Sequence, residues 1–90
     1  MFLVVAYDIS DDRRRTRLHK RLKSFGTPVQ YSVFECILTE QLFQQLRVAV
    51  LDIIEPEVDQ VRYYSLCQSC RARIESINGA ITQEIGTIVV

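Results

Sequence analysis

The stretch LVVAYDISDDRRRTRLHKRL, residues 3–22, decides how the chain begins to fold. Its first part is apolar and β-branched, which predicts a buried strand over residues 2–8. Residues 10–12, which read SDD, supply an N-cap and favourable charge for the first turn of a helix. The pattern therefore predicts a strand that delivers a carboxylate, Asp8, to the start of a basic helix.

The next elements follow from the same kind of periodicity. Apolar residues recur at helical spacing up to Phe25, and Gly26 is expected to end the first helix. Residues 28–38, PVQYSVFECIL, form a β-rich run that is too long for one flat edge strand. We therefore predict two short strands that meet near Ser32.

A second helix is predicted after Thr39, which is placed to cap it, and Pro56 closes it. Its buried stripe is expected to comprise Leu42, Leu46, Ala49, Val50 and Ile53. Residues 60–66 predict another strand. Residues 71–77 predict one more short strand, stopped by the turn dipeptide Asn78-Gly79.

The predicted order is β-α-β-β-α-β with an additional C-terminal strand. This is an α+β, ferredoxin-like arrangement with two helices on one face of an antiparallel sheet. The apolar tail 80–90 is long enough to leave its own sheet and pair with another, so we expect a homodimer. The expected division is a domain over residues 1–78 and a strand or tail over residues 79–90 that pairs with the partner subunit.

Composition places the chain among ordinary globular domains, with 48% hydrophobic and 24% charged residues. No segment is long and apolar enough for a membrane span, and the N-terminus lacks the features of a signal peptide, so we expect a cytoplasmic location. The net charge is zero, yet residues 1–30 hold seven Lys/Arg against three Asp. This basic segment is either a solvated helix face or a surface for a polyanion, and composition leaves both open.

Three cysteines, Cys36, Cys67 and Cys70, make an odd number, which argues against a disulfide framework. The Cys67-x-x-Cys70 spacing is that of half a zinc site, but a second Cys/His pair is missing. A redox motif of this spacing is expected to open a helix after the first strand, where this one does not lie. We interpret the three cysteines as reduced structural thiols.

Asp8 has two interpretations. It is either a helix cap or a ligand for a hard cation, and Asp11 and Asp12 are better placed for capping. Mg²⁺ is typically bound through one or two carboxylates while it keeps several waters. One Asp8 from each chain, contributed across a dimer axis, would complete such a site.

Three ordered motifs resemble a known family. The residues AYDISDDRRRTRLHKRL, then QYSVFE from Gln30 to Glu35, then YYSLCQSC from Tyr63 to Cys70, are similar to the CRISPR-associated endoribonuclease family called CRISPR-associated protein two. The resemblance covers nearly all ninety residues. One departure is Pro28, where members of the family often carry a basic residue that could bind phosphate.

The resemblance implies a ferredoxin-like homodimer that acts in spacer acquisition and antiviral defence. It implies that Asp8 binds Mg²⁺ and is the catalytic residue for hydrolysis of single-stranded RNA or double-stranded DNA. The arginines of the family's helix correspond to Arg15 and Arg17, and its strand phenylalanine corresponds to Phe34. Together with the basic charge of residues 1–30, this predicts that Arg14, Arg15 and Arg17 bind nucleic acid, with Ser32 and Phe34 in supporting positions. The implied partners are a second copy, the CRISPR integrase and nucleic acid, with no membrane.

Two other functions stay open at this point. The dimer is alternatively a non-catalytic DNA-binding scaffold that bridges the integrase, or a toxin-like RNase or regulatory dimer of the same fold. His19 lies inside the helix and is interpreted as structural rather than as a general base. Tyr7 is expected to pack, because it points to the face of the strand opposite Asp8.

Overall fold

The first strand lies at the centre of a four-stranded antiparallel sheet in the computed structural model, which describes residues 1–77. The sheet order is β2-β3-β1-β4. The elements are β1 (Phe2–Asp8), α1 (Asp12–Leu22), β2 (Thr27–Gln30), β3 (Val33–Ile37), α2 (Glu40–Ile53), β4 (Gln60–Leu66) and a short α3 (Gln68–Ala72). The predicted α+β, ferredoxin-like arrangement is confirmed, including the bounds of β1 and β4.

The register of β1 separates the two faces of the sheet. Val5 lies opposite Phe34 in β3 and Tyr63 in β4, and these residues face the helices. Asp8 lies opposite Gln60 and points to the other face. The core between the sheet and the helices contains fully buried side chains from both, among them Leu3, Val5, Phe34, Leu18, Leu22, Leu46 and Val50.

Ser32 makes the predicted break between β2 and β3. Its φ of 63° is left-handed, a conformation uncommon for residues other than glycine. The Tyr7 N–H donates to the Ser32 carbonyl over 3.0 Å, so the turn is fastened to the end of β1. Further along, β2 contains Pro28, and its pairing with β3 shifts register between Pro28 and Gln30.

Thr39 caps α2 as predicted, since its hydroxyl accepts a hydrogen bond from the Leu42 N–H. Leu46 and Val50 of the expected stripe are buried, whereas Leu42, Ala49 and Ile53 are half-buried at its margin. Phe43, which was not expected in the stripe, is also buried.

The helix α1 does not extend to Gly26, so the prediction that this glycine ends it is wrong. The helix ends at Leu22 and a tight turn follows, in which Gly26 has no positive φ. A Cβ at Gly26 would lie 2.4 Å from the Cys36 Sγ and from the Glu35 carbonyl oxygen. Glycine is required there because the chain passes directly against β3.

The predicted strand over residues 71–77 is also wrong. Residues 68–72 form α3, and residues 73–77 are not in a strand. The Cys67 side chain caps this helix by accepting from the Cys70 N–H, which draws the chain into a helical turn. The Asn78-Gly79 turn, the tail strand and the division at residue 79 lie outside the described residues.

Among residues 1–77, no helix has the length and apolar character that crossing a membrane requires.

Candidate nucleic-acid site at the end of the first strand

Asp8 is the last residue of β1 and is exposed on the sheet face away from the helices. Its carboxylate forms no hydrogen bond or ion pair within residues 1–77. The two acids that follow differ in this respect. Asp11 accepts the Arg14 N–H over 2.9 Å as the N-cap of α1, and Asp12 pairs with Arg15. The expectation that the later acids leave Asp8 unused for capping is therefore met.

Arg15 closes the loop that follows Asp8. Its Nη1 donates to the Ile9 carbonyl over 3.0 Å and to the Ser10 carbonyl over 3.4 Å, and its Nη2 pairs with Asp12. The guanidinium thus binds two carbonyls of the segment between β1 and α1 and the side chain of the first residue of α1. This arrangement fixes the backbone next to Asp8.

Arg14 points elsewhere, into an ion pair with Asp59. Its Nε donates to Asp59 Oδ2 over 2.8 Å and its Nη2 to Oδ1 over 3.2 Å. The Asp59 side chain is fully buried, and it also accepts the Glu55 N–H over 2.8 Å. The Arg14 hydrogen bonds hold the pKa of Asp59 below its ordinary value against the opposing effect of burial. No sequence pattern indicated a role for Asp59, because it lies 45 residues from Arg14 along the chain.

Arg17 lies on a third side of α1, in an open groove of about 1110 Å³ between α1 and α2. Lys20 and Arg21 line the same wall, and the α2 wall contributes glutamines and one acid, Asp52. The ion pairs of α1 within the described residues belong to Arg14 and Arg15, not to Arg17. Arg21 donates to the Ser24 hydroxyl over 2.7 Å and lies over the Phe25 ring, so within residues 1–77 the groove cations available to a ligand are Arg17 and Lys20. Neither Lys20 nor Arg21 was singled out from the sequence.

The turn residues Tyr31 and Ser32 lie beside the start of α1. Together with Tyr7, Arg15 and His19 they line a small cleft of about 270 Å³. Tyr31 lies at the rim of this cleft and is 80% exposed, so its ring is free to stack on a base. Burial raises the pKa of the Tyr7 hydroxyl, a group that also contacts His19 Nδ1 at 3.3 Å.

Phe34 lies beneath this cleft and is fully buried. Its ring centroid is 6.4 Å from that of Tyr7 and 5.1 Å from that of His19. These contacts fix the orientation of both neighbours. The structural interpretation of His19 and the packing role of Tyr7 agree with this cluster, and Phe34 contributes packing beneath the cleft and has no exposed surface there.

The residues around Asp8 fit a hard cation only in part. Carboxylate oxygen is the donor that Mg²⁺ prefers, and Asp8 presents an unengaged carboxylate. Within residues 1–77, however, no three His, Cys, Asp or Glu side chains cluster closely enough to hold a metal ion. One chain thus supplies a single carboxylate, and the remaining ligands would be water and a second copy of Asp8.

Residues 1–74 match the family described as CRISPR associated protein Cas2. The chain belongs to the Cas2 family. A relative named CRISPR-associated endoribonuclease Cas2 3, from Chloroflexus aurantiacus, is 48% identical over 73 residues, or 81% of this chain and 78% of its own length. A second from the same organism, Cas2 1, is 45% identical over 78 residues, or 86% and 84%.

Solved structures agree with this assignment. Streptococcus pyogenes Cas2, crystallised at pH 6.5, superposes with a TM-score of 0.77 at 29% identity, covering 87% of this chain and all of that one. A hypothetical protein from Thermus thermophilus, TT1823, gives a TM-score of 0.79 at 37% identity, covering 91% and 96%. The family named from the sequence motifs, and the fold that it implies, are confirmed.

Proposed function

We propose that this Cas2-family chain is a CRISPR-associated endonuclease that works as a homodimer and hydrolyses RNA or DNA with Mg²⁺ bound at Asp8. One observation carries the proposal: the Asp8 carboxylate is exposed at the end of β1 and unengaged within residues 1–77. Its relatives support the class of reaction, since two are named endoribonucleases and one from Thermus thermophilus is named an endonuclease.

The sheet face that carries Asp8 supports the dimer. Val4, Ala6 and Val33 are half-buried on this face, and Tyr64 is 47% exposed. Neither α1 nor α2 covers it, because both pack on the opposite side. A two-fold pair buries the same surface of each copy, so pairing through this face with the axis beside Asp8 would bring one Asp8 from each subunit to a shared site. Two carboxylates satisfy what Mg²⁺ usually takes from protein.

The metal ion and the charged residues have separate roles in this proposal. Mg²⁺, when bound, supplies polarisation of the scissile phosphate and a bound water of lowered pKa. Asp8 holds the cation, and Arg15 keeps the adjoining loop closed. Arg17 and Lys20 bind backbone phosphates along the groove, on the helix side of the sheet and away from the scissile phosphate. His19 faces Tyr7 on the helix side of the sheet, away from Asp8, so it does not serve as a base there. We expect slow turnover because so few acid–base groups lie near Asp8.

The test compares Asp8→Asn with the matched variant Asp11→Asn. Both remove one negative charge from the same loop, but asparagine caps a helix about as well as aspartate, so Asp11→Asn should keep its structural role. Cleavage of single-stranded RNA and of duplex DNA is measured with Mg²⁺ and with chelator. We expect Asp8→Asn to lose Mg²⁺-dependent cleavage with its fold intact by circular dichroism, while Asp11→Asn retains cleavage. Cleavage by Asp8→Asn at the wild-type rate would contradict the proposal.

The second candidate is a non-catalytic scaffold that binds duplex DNA and bridges the CRISPR integrase. The basic groove between α1 and α2 favours it, because the groove lies on the helix side of the sheet and offers binding without catalytic groups. If wild type cleaves neither substrate in Mg²⁺ but binds duplex DNA, and Asp8→Asn binds it equally, the scaffold replaces the nuclease.

A further inference from the structure

Cys67 and Cys70 are far from the nucleic-acid site. In the register of β1 with β4, Asp8 lies opposite Gln60 and Phe2 lies opposite Leu66, the residue before Cys67. Six residues of strand separate the two ends, which is about 20 Å. Both thiols are exposed and free, and nothing proposed for nucleic-acid cleavage uses them.

The Cys67 sulfur contacts the residues that follow it across one turn of chain. The Cys70 N–H donates to Cys67 Sγ over 3.4 Å, and the Ser69 hydroxyl lies 3.2 Å from the same sulfur. The proximity of the Cys67 side chain raises the pKa of the Cys70 thiol. The Cys67 sulfur therefore lies against the backbone of Cys70, which places the two side chains within reach of each other across one helical turn.

The same contacts make the two thiols unequal. Hydrogen bonding, from Ser69 foremost and then from the Cys70 N–H, lowers the pKa of Cys67 to about 7. The thiolate is the form that attacks disulfides, so Cys67 is the better nucleophile near neutral pH. Cys36 shows the opposite behaviour: it is buried against Gly26, and burial raises its pKa to about 12.

We propose that Cys67 and Cys70 form a dithiol–disulfide couple that reacts with low-molecular-weight disulfides, with Cys67 as the attacking thiol and Cys70 as the resolving thiol. A zinc site fits these residues less well than a redox couple does. The pair offers two ligands, and among residues 1–77 no third His, Cys, Asp or Glu joins them. The fitting reaction partner is therefore a disulfide of the glutathione type.

The reaction balances in two exchanges. The Cys67 thiolate attacks one sulfur of the oxidant, the oxidant's S–S bond breaks, and one thiolate leaves. The Cys70 thiol releases its proton to water, and its sulfur attacks the Cys67 sulfur of the mixed disulfide. The second thiolate leaves as the Cys67–Cys70 bond forms. The protein loses two electrons and two protons, and the oxidant departs as two thiols.

The experiment treats the full chain with oxidised glutathione at neutral pH and identifies the products by intact-mass and peptide mass spectrometry. Wild type should become lighter by two hydrogen atoms, with the bond located between residues 67 and 70, and a dithiol reductant should reverse the change. Cys70→Ser should instead accumulate glutathione on Cys67, because the resolving thiol is absent. Cys67→Ser should lose most of the reaction.

Cys36 is the internal control, since it should react only when the chain unfolds. Modification of Cys36 in a variant reports loss of the fold, and circular dichroism checks the same point. Stable glutathione adducts on wild type, or disulfide-linked dimers on non-reducing electrophoresis, would overturn the intramolecular couple. Glutathione trapped on Cys70 in Cys67→Ser, with none trapped on Cys67 in Cys70→Ser, would overturn the assignment of roles.

Discussion

Replacing Phe34 tests whether this residue serves the site by packing or by contact with nucleic acid. Phe34 is fully buried beneath Tyr7 and His19, so it has no surface to offer a substrate in the folded chain. Phe34→Ala should cost about 3–5 kcal/mol from lost burial and the resulting cavity. A domain of this size has a total stability near the low end of about 5–15 kcal/mol, so that variant should be largely destabilised.

Phe34→Leu is the informative variant. It keeps an apolar side chain and loses mainly the aromatic contacts, which predicts a loss of about 1–2 kcal/mol. For a domain of this size the melting temperature should fall by about 5–15 °C, measured by circular dichroism. Activity should fall only in proportion to the unfolded fraction.

Phe43→Leu is the matched control. Phe43 is also buried and also meets one aromatic ring edge-on, that of Tyr63 at 5.4 Å, but it lies on α2 and outside the cleft of Tyr7 and His19. Nuclease activity and DNA binding are compared at a temperature where both variants are folded. If Phe34→Leu then lost far more activity than Phe43→Leu, the packing explanation would be refuted.

Two other predictions concern charged side chains of α1. Arg14 lowers the pKa of Asp59, so the ionised carboxylate stabilises the fold above the unfolded-state pKa of about 3.9. That stabilisation is lost as the pH falls through the lower pKa of the folded state. Urea unfolding between about pH 5 and pH 2 should show this acid dependence in wild type, and Asp59→Asn should lose part of it. Alanine at both Arg17 and Lys20 should reduce the salt slope of duplex binding by about 1.5–2, whereas Arg14→Ala, measured where it is folded, should leave the slope unchanged. Equal slopes for the Arg17 and Lys20 variant and wild type would place the phosphate contacts outside the groove.

Most of the fold could be predicted because the signals are local. The β-branched run of β1, the break at Ser32 and the cap at Thr39 each act within a few residues. The segment 71–77 misled because its charged and apolar residues alternate, as they do in a strand. The deciding interaction is the Cys67 sulfur, which accepts the Cys70 N–H, and cysteine is not among the residues that commonly cap helices.

The site was predictable to a smaller extent. Asp8 followed from its place at the end of a strand, but its unengaged state depends on what Asp11 and Asp12 bind. Helical geometry turns each residue about 100° from the last, so neighbouring arginines necessarily face different ways. What each arginine meets depends on tertiary contacts, above all the burial of Asp59 beside Arg14.

The two outer strands of the sheet are unequal as templates for further pairing. On one side β2 is four residues long, contains Pro28 and slips register against β3. A proline has no N–H to donate, and the irregular pairing of β2 leaves its other backbone N–H and C=O groups misaligned for a regular ladder. The β2 edge of the sheet therefore resists the addition of a strand. On the other side β4 offers seven residues in unbroken register with β1 and no proline. Among the strands of residues 1–77, only β4 would therefore offer a strand from another copy of the chain a regular ladder of backbone donors and acceptors, so this part of the sheet can be extended in one direction.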